Sequence, residues 1–264
     1  MSVVLIGTIY PIFLEVLSSQ KISVGPPFYH KLMIPFLIPF LIAMAIGPKL
    51  KWIKSNIEDK VYLISFLIIS IVLSFLIVIK FNSNLLINTI LLSSALYLFF
   101  ITLRDFFIKK FSNVSQNMAH FGFSLLILSI LLNNLFSSEI ITNLKVGETF
   151  SSSNTKIVLK SINQKQEKNY KSIIANFSIE NLNGTIEDLS PELRIYNQPN
   201  IITSEADIKT TLLSDKFIVV NFVQNQDYFN VRYQVKPFML WIWISVLLIS
   251  LGGLICFYKK EYEK

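Results

Sequence analysis

The chain has 264 residues, of which 52% are hydrophobic and only 16% charged, with a formal net charge of +7, 22 phenylalanines and one cysteine. A soluble domain of this length carries roughly a quarter charged residues; here long apolar runs fill residues 1–136 and 237–257, whereas 137–236 read as an ordinary polar domain. That distribution excludes a wholly soluble protein, and a single cysteine excludes a disulfide framework.

A helix that crosses a bilayer needs about 20 mostly apolar residues to span roughly 30 Å of hydrocarbon. The first run, Val3–Leu17, is short and carries Pro11 and Glu15. It lacks the basic leader and small-residue cleavage site of a signal peptide, and reads as a crossing helix with its beginning cut off. Leu32–Pro48, Val61–Ile79, Leu85–Leu103 and Met118–Phe136 follow as four more crossings, and Phe238–Tyr258 is the last. The predicted fold is a mainly α polytopic membrane protein of about six transmembrane helices, with a small extracytoplasmic all-β domain between the last two. The expected divisions are a bundle over 1–136, the β domain over 137–236, and a final helix with a basic tail over 237–264.

Orientation follows from lysine and arginine in short loops, which favour the cytoplasm. Lys49, Lys51, Lys54 and Lys60 fall in loop 49–60, Arg104, Lys109 and Lys110 in loop 104–115, and Lys259, Lys260 and Lys264 in the tail. The alternate loops 18–30 and 80–84 and their borders hold only Lys21, Lys31 and Lys80. Residues 137–236 are therefore expected outside, and the net positive charge is topology signal that calls for no nucleic-acid partner. Within 137–236, Ile173, Ala175, Phe177 and Ile179 alternate with polar neighbours, as do Phe229, Val231, Tyr233 and Val235, the period of half-buried strands. Lys156–Ile162 and Lys216–Val223 are β-branched-rich and suggest two further strands. Asn181-Leu182-Asn183-Gly184 supplies turn chemistry, and 203–214 is the stretch expected to form a short helix.

Catalytic motifs are mostly missing. The chain has no Cys-x-x-Cys-His, Walker A, His-Glu-x-x-His or Gly-x-Ser-x-Gly pattern. It has two histidines, and an ionisable residue inside a crossing is a candidate site because it is costly to bury in lipid. His120 lies in Ala119-His120-Phe121-Gly122, about one turn inside the run Met118–Phe136, with Ser124 one turn along on the same face. The residues alone allow a haem or metal ligand, or a hydrogen-bonded structural histidine near the interface. His30 stands at the outer end of the second crossing, where a histidine is ordinarily solvated. The predicted topology puts most of the membrane between the two, so they cannot share one metal. Phe238, Trp241 and Trp243 open the last helix at the level favoured by interfacial aromatics. Gly252-Gly253 suggests a close helix-packing point, and Cys256 reads as core packing.

Several segments resemble the CcmF family of cytochrome c-type biogenesis proteins, the haem-lyase component of cytochrome c maturation. They are Leu5-Ile6-Gly7-Thr8-Ile9-Tyr10-Pro11, Lys21-Ile22-Ser23-Val24-Gly25-Pro26-Pro27-Phe28, Ile46-Gly47-Pro48 and Ala119-His120-Phe121-Gly122. They continue with Pro191-Glu192-Leu193-Arg194-Ile195-Tyr196, Thr203-Ser204-Glu205-Ala206-Asp207-Ile208, Lys236-Pro237-Phe238-Met239-Leu240-Trp241-Ile242-Trp243 and Gly252-Gly253-Leu254. Their shared order makes the match specific, and it is to the carboxy-terminal part of the family. The resemblance implies that His120 is one of an intramembrane pair of axial ligands to the iron of a resident haem b. The other ligand, two outer histidines and a tryptophan-rich segment that handles incoming haem would then lie before Met1. No role carries onto His30, where the family usually has another polar residue.

The resemblance further implies cytochrome c maturation in the inner membrane of a Gram-negative-type bacterium or of a mitochondrion. The implied partners are a haem chaperone, apocytochrome c, other maturation subunits, and the family's amino-terminal half. Without that half the chain is not expected to attach haem alone. The alternative from a different class is a non-catalytic scaffold or permease subunit whose outer domain docks a partner.

Overall fold

The structure is a computed structural model that describes residues 2–18, 25–50, 60–81, 84–108, 114–152, 155–181, 184–222 and 227–262. Lys21, Lys51, Lys54, Lys109, Lys110, Leu182, Asn183, Val223 and Lys264 lie outside the described residues, as do the side chains of His30, Lys31, Lys60, Lys259 and Lys260. The chain divides into two compact units, one of residues 1–128 with 244–264, the other of residues 129–243.

The first unit is helical: α1 (Ser2–Ser18), α2 (Pro26–Ile46), α3 (Lys60–Val78), α4 (Leu85–Ile108), α5 (Val114–Phe136) and α6 (Met239–Tyr262), the last two extending into the second unit. Among the described residues five helices are long and apolar enough to cross a membrane, and α1 is a shorter apolar helix. α4 packs against both α2 and α3, and accordingly buries Leu91, Leu92, Ala95, Leu98 and Ile101. Several hydroxyls in these apolar helices bond locally: Ser70 and Ser74 donate to Phe66 O and Ile71 O of their own helix, and Ser94 to Leu91 O. Where water is excluded, an unpaired polar group costs several kcal/mol, so such back-bonding is the cheap solution.

α5 and α6 meet through glycine. A Cβ on Gly122 would lie 2.9 Å from the Ile249 side chain and 3.0 Å from Ser245 O, and one on Gly252 would lie 2.9 Å from Ser115 O and Ala119 N. Each glycine thus admits the other helix's backbone, the close approach that small residues permit between membrane helices. Gly253 has nothing within 4 Å, so the packing role expected of the pair belongs to Gly252. Cys256, expected in packing, is exposed. It sits one turn past the point where Gly252 meets Ser115 at the very start of α5.

The second unit is a two-sheet β domain. One sheet has the order β1-β10-β9-β8, with β1 Ser138–Leu144, β8 Asp207–Thr210, β9 Ser214–Phe222 and β10 Phe229–Pro237. The other runs β2-β3-β4-β6-β7, with β5 paired to β4. Its strands are β2 Thr149–Ser151, β3 Thr155–Gln166, β4 Tyr170–Asn181, β5 Ile186–Leu189, β6 Glu192–Tyr196 and β7 Ile202–Glu205. Ile157, Leu159, Phe177 and Ile179 from one sheet and Ile218, Val220, Val231 and Tyr233 from the other form the core. A bulge between Leu159 and Ser161 skips Lys160 and returns Ile162 to the core side.

The two strands read from alternation are present as β4 and β10, and the two read from β-branched richness as β3 and β9. The short helix expected over 203–214 is not: that stretch forms β7 and β8 and the turn into β9. Pairing of β7 with β6 and of β8 with β9 overrides the local helical preference of Glu205-Ala206. Gly184 closes the expected turn at φ +70, donating its N–H to Asn181 O.

Candidate functional site

His120 lies deeper in its helix than the sequence suggested. α5 begins at Val114, so its first turn and a half precede the histidine and set it about 9 Å from the helix start. The imidazole is half-buried and lines a cavity of about 90 Å³ walled by three helices. α5 contributes Gln116, Asn117 and His120, α4 contributes Ile101, Thr102 and Asp105, and the end of α2 with the turn after it contributes Met44, Ala45 and Pro48. Several of these are polar, in a bundle otherwise dominated by aliphatic side chains.

The polar wall is braced on both sides. Asp105 accepts two hydrogen bonds from Lys49 Nζ, at 2.6 and 2.9 Å, and the pair is largely buried, at 14% and 7% side-chain exposure. Asn117 Nδ2 donates to Asp105 O at 3.4 Å. Arg104 stacks its guanidinium over the Tyr62 ring at 3.8 Å, and Lys49 stands 5.6 Å from the same ring. Cations so placed gain from the ring's electron-rich face. On the other side, Ser124 and Thr102 hydroxyls lie 2.7 Å apart, both buried, and Ser124 also donates to Phe121 O. His120 and Ser124 are one turn apart on α5, so this bond joins α5 to α4 directly beside the histidine. Gly122, by contrast, faces α6 and opens no space at His120.

Lys49 and Arg104 were legible only as loop charges, and Asp105 drew no reading. Arg104 and Asp105 instead belong to α4, which continues to Ile108. The available signal was Asp105, the sole acidic residue in the stretch from Arg104 to Asn117. His30 lies near the start of α2, whereas the His120 cavity touches that helix at Ala45; positions 30 and 45 of one helix are about 22 Å apart along its axis. The two histidines are not brought together.

The donor set favours one kind of metal group. Among the described residues no three His, Cys, Asp or Glu side chains converge to hold a metal ion. A bare ion usually needs three or four protein ligands, while a metalloporphyrin supplies four nitrogens itself and asks the protein for one or two axial donors. One intramembrane imidazole therefore fits a haem iron. The cavity itself has room for a small cluster of waters but not for a porphyrin, since each water needs only about 10–15 Å³ by this measure.

Residues 135–237, nearly the whole β domain, match the family model described as the CcmF C-terminal beta-sandwich. Over its whole length the chain resembles the carboxy-terminal part of CcmF. It is 26% identical over 276 residues to the cytochrome c-type biogenesis protein CcmF of Pseudomonas fluorescens, covering 99% of this chain and 42% of that protein. Against CcmF of Escherichia coli K12 the identity is 25% over 273 residues, covering 100% of this chain and 42% of the relative. A solved structure described as Cytochrome c Heme Lyase CcmF superposes with a TM-score of 0.71 at 20% identity, over 96% of this chain and 42% of the other. The chain thus spans 42% of the length of these relatives and shares the fold of that part: a multi-pass membrane protein with a β-sandwich before its last helix.

Proposed function

We propose that this chain serves cytochrome c maturation as the carboxy-terminal part of a CcmF-type haem lyase, with His120 as one axial ligand of a resident haem b. The observation that carries the reading is collinear similarity to CcmF along the entire chain, together with a single imidazole in a polar cavity among apolar helices. Held by His120 in the assembled protein, the haem iron would supply a one-electron couple able to keep incoming haem reduced for thioether formation.

The chain's own residues have distinct tasks in this reading. Neutral His120 presents one ring nitrogen to iron. Its other N–H needs an acceptor, as ligating histidines generally do, and the Asp105 carboxylate on the same cavity wall is the anionic acceptor at hand. Lys49 balances that charge, which an unpaired carboxylate could not sustain in an apolar bundle. The bonded Thr102 and Ser124 keep α4 and α5 in register beside the ligand. His30 does not supply the second axial donor in this reading, because it is about 22 Å away along α2.

The lysine and arginine distribution supports an outer location for the β domain, where it faces the haem chaperone and apocytochrome c. The other maturation subunits and the part corresponding to the rest of CcmF complete the assembly, in a bacterial inner membrane or a mitochondrial one. Complementation tests the reading. In a bacterium deleted for its own CcmF, this chain co-produced with the amino-terminal remainder of that CcmF should restore covalent haem on c-type cytochromes. Absence of restoration, with both chains present in the membrane, contradicts it.

A further inference from the structure

The turn between β8 and β9 carries two neighbouring leucines that nothing in the domain covers: Leu212 and Leu213 are each 66% exposed. Exposed leucines singly are ordinary. A pair at the tip of a hairpin, fixed to the root of a membrane helix, is not.

The turn is tied to α6 by two hydrogen bonds. Phe238 N donates to Leu213 O at 2.8 Å, and Trp241 Nε1 donates to Leu212 O at 3.0 Å. Phe238, at φ 61, is the single residue between the end of β10 and the start of α6. The apolar part of α6 begins immediately after it, at Met239, and runs 20 residues to Tyr258. At 1.5 Å per residue that is about 30 Å, the thickness of the hydrocarbon core, so its outer boundary falls close to Met239. A turn bonded to Phe238 and Trp241 is therefore held at that boundary. The exposed Trp243 and the bonded Trp241 mark the same depth as interfacial aromatics.

Several polar groups of the turn are bonded within it. Thr211 N and Oγ1 both donate to Ser214 O, at 3.0 and 2.7 Å, and Ser214 N donates to Thr211 Oγ1 at 3.1 Å. The carbonyls of Leu212, Leu213 and Ser214 all accept hydrogen bonds, and the two leucine side chains project uncovered from the turn.

We infer that the Leu212–Leu213 turn is a lipid-binding foot, which rests the β domain on the bilayer by inserting both leucines at the boundary marked by Phe238 and Trp241. This goes beyond the haem reading and does not depend on it. Fixing a second point of the domain, besides its covalent links to α5 and α6, limits how the sandwich tilts over the membrane.

Spin labelling tests it in the full chain reconstituted in phosphatidylcholine vesicles. With Cys256→Ser removing the one native cysteine, a nitroxide is attached at Leu212→Cys, at Leu213→Cys or, as a reference, at Val146→Cys. Val146 follows β1 at the far end of its sheet, where Leu144 pairs with Phe229, eight strand positions from Pro237 or about 27 Å. Labels at 212 and 213 should collide with oxygen several-fold more, relative to a water-soluble nickel chelate, than the label at 146. A ratio equal to that at 146 places the turn in water and overturns the inference. Protection from both reagents places it against protein and overturns it as well. Using two leucine positions guards against a single label disturbing the turn.

Discussion

In α3, Ser70 and Ser74 are fully buried while Ile64, Ile68 and Val72 are 50–58% exposed; in the sandwich, Ile157, Leu159 and Ile179 are fully buried while Lys160 and Glu180 keep about half their side-chain surface outside. The two units expose opposite chemistries because they face different solvents. Among the helices, lipid competes with protein for every aliphatic side chain, so close packing and hydroxyl bonds hold them together. In the sandwich, removal of apolar area from water contributes most of the stability. One consequence concerns His120. A polar cavity is cheap in the second environment and expensive in the first, so a cavity walled by Asp105, Asn117 and His120 among membrane helices points to use rather than to packing.

The sharpest way to break the contrast is to truncate one large side chain in each unit. Phe177→Ala, at a position 1% exposed, should destabilise the β domain by about 3–5 kcal/mol, and limited proteolysis of intact membranes should show it degraded. Ile68→Ala in α3, at 57% exposure, should cost under about 0.5 kcal/mol. Equal sensitivity at both sites would mean that Ile68 does not face lipid.

Next in size is the α5–α6 contact. Gly252→Ala puts a Cβ 2.9 Å from the Ser115 carbonyl oxygen, and overpacking of this kind costs roughly 1–3 kcal/mol. Gly253→Ala meets nothing within 4 Å and should leave melting in detergent unchanged. If both alanines behave alike, the assignment of the contact to Gly252 is wrong.

A smaller effect depends on pH. Glu187 is partly buried, which pushes its carboxyl pKa up, but a hydrogen bond from Lys216 at 2.8 Å and the positive charge of Lys209 at 3.6 Å more than offset this, and the pKa lies below the ordinary 4.5. A carboxyl with a lowered folded pKa stabilises fully above its unfolded value and loses that contribution as pH falls through the folded one. The domain should therefore lose on the order of 1 kcal/mol on acidification from about pH 6 to below about pH 4. Glu187→Gln, already lacking the charge, should flatten that part of the profile in a thermal melt. The smallest change is at Tyr233, 2% exposed, whose hydroxyl has no hydrogen-bond partner among the described residues and whose pKa is pushed up to about 12, first by burial and then by Glu187. Tyr233→Phe should raise stability by up to about 1 kcal/mol; a loss of similar size would show that the hydroxyl is paired.

Much of this organisation was legible in the residues. The helices announced themselves by length and apolarity, the strands β4 and β10 by alternation, and β3 and β9 by β-branched richness. The short strands were not visible because their partners, not their own residues, create them. Thr149–Ser151 is a strand by pairing with Ile157 and its neighbours, and Glu139 sits in β1 bonded to Gln234 and Arg232 of β10. His120 stood out as the histidine inside an apolar run, but its surroundings did not. Asp105 and Lys49 are far apart in sequence and meet only because α4 runs past its apolar stretch to Ile108, beside the end of α2. Contacts of that range depend on tertiary packing, which no local period encodes.

The central claim is that His120 ligates haem iron inside the membrane, and spectra of the assembled protein test it most directly. Reduced-minus-oxidised difference spectra are recorded on membranes holding this chain with the complementary part of CcmF, for the native chain, His120→Ala and His30→Ala, each normalised to protein present. Ligation by His120 predicts that His120→Ala abolishes the b-type signal, because alanine offers iron no donor, while His30→Ala retains it. An undiminished b-type signal in His120→Ala would contradict that ligation.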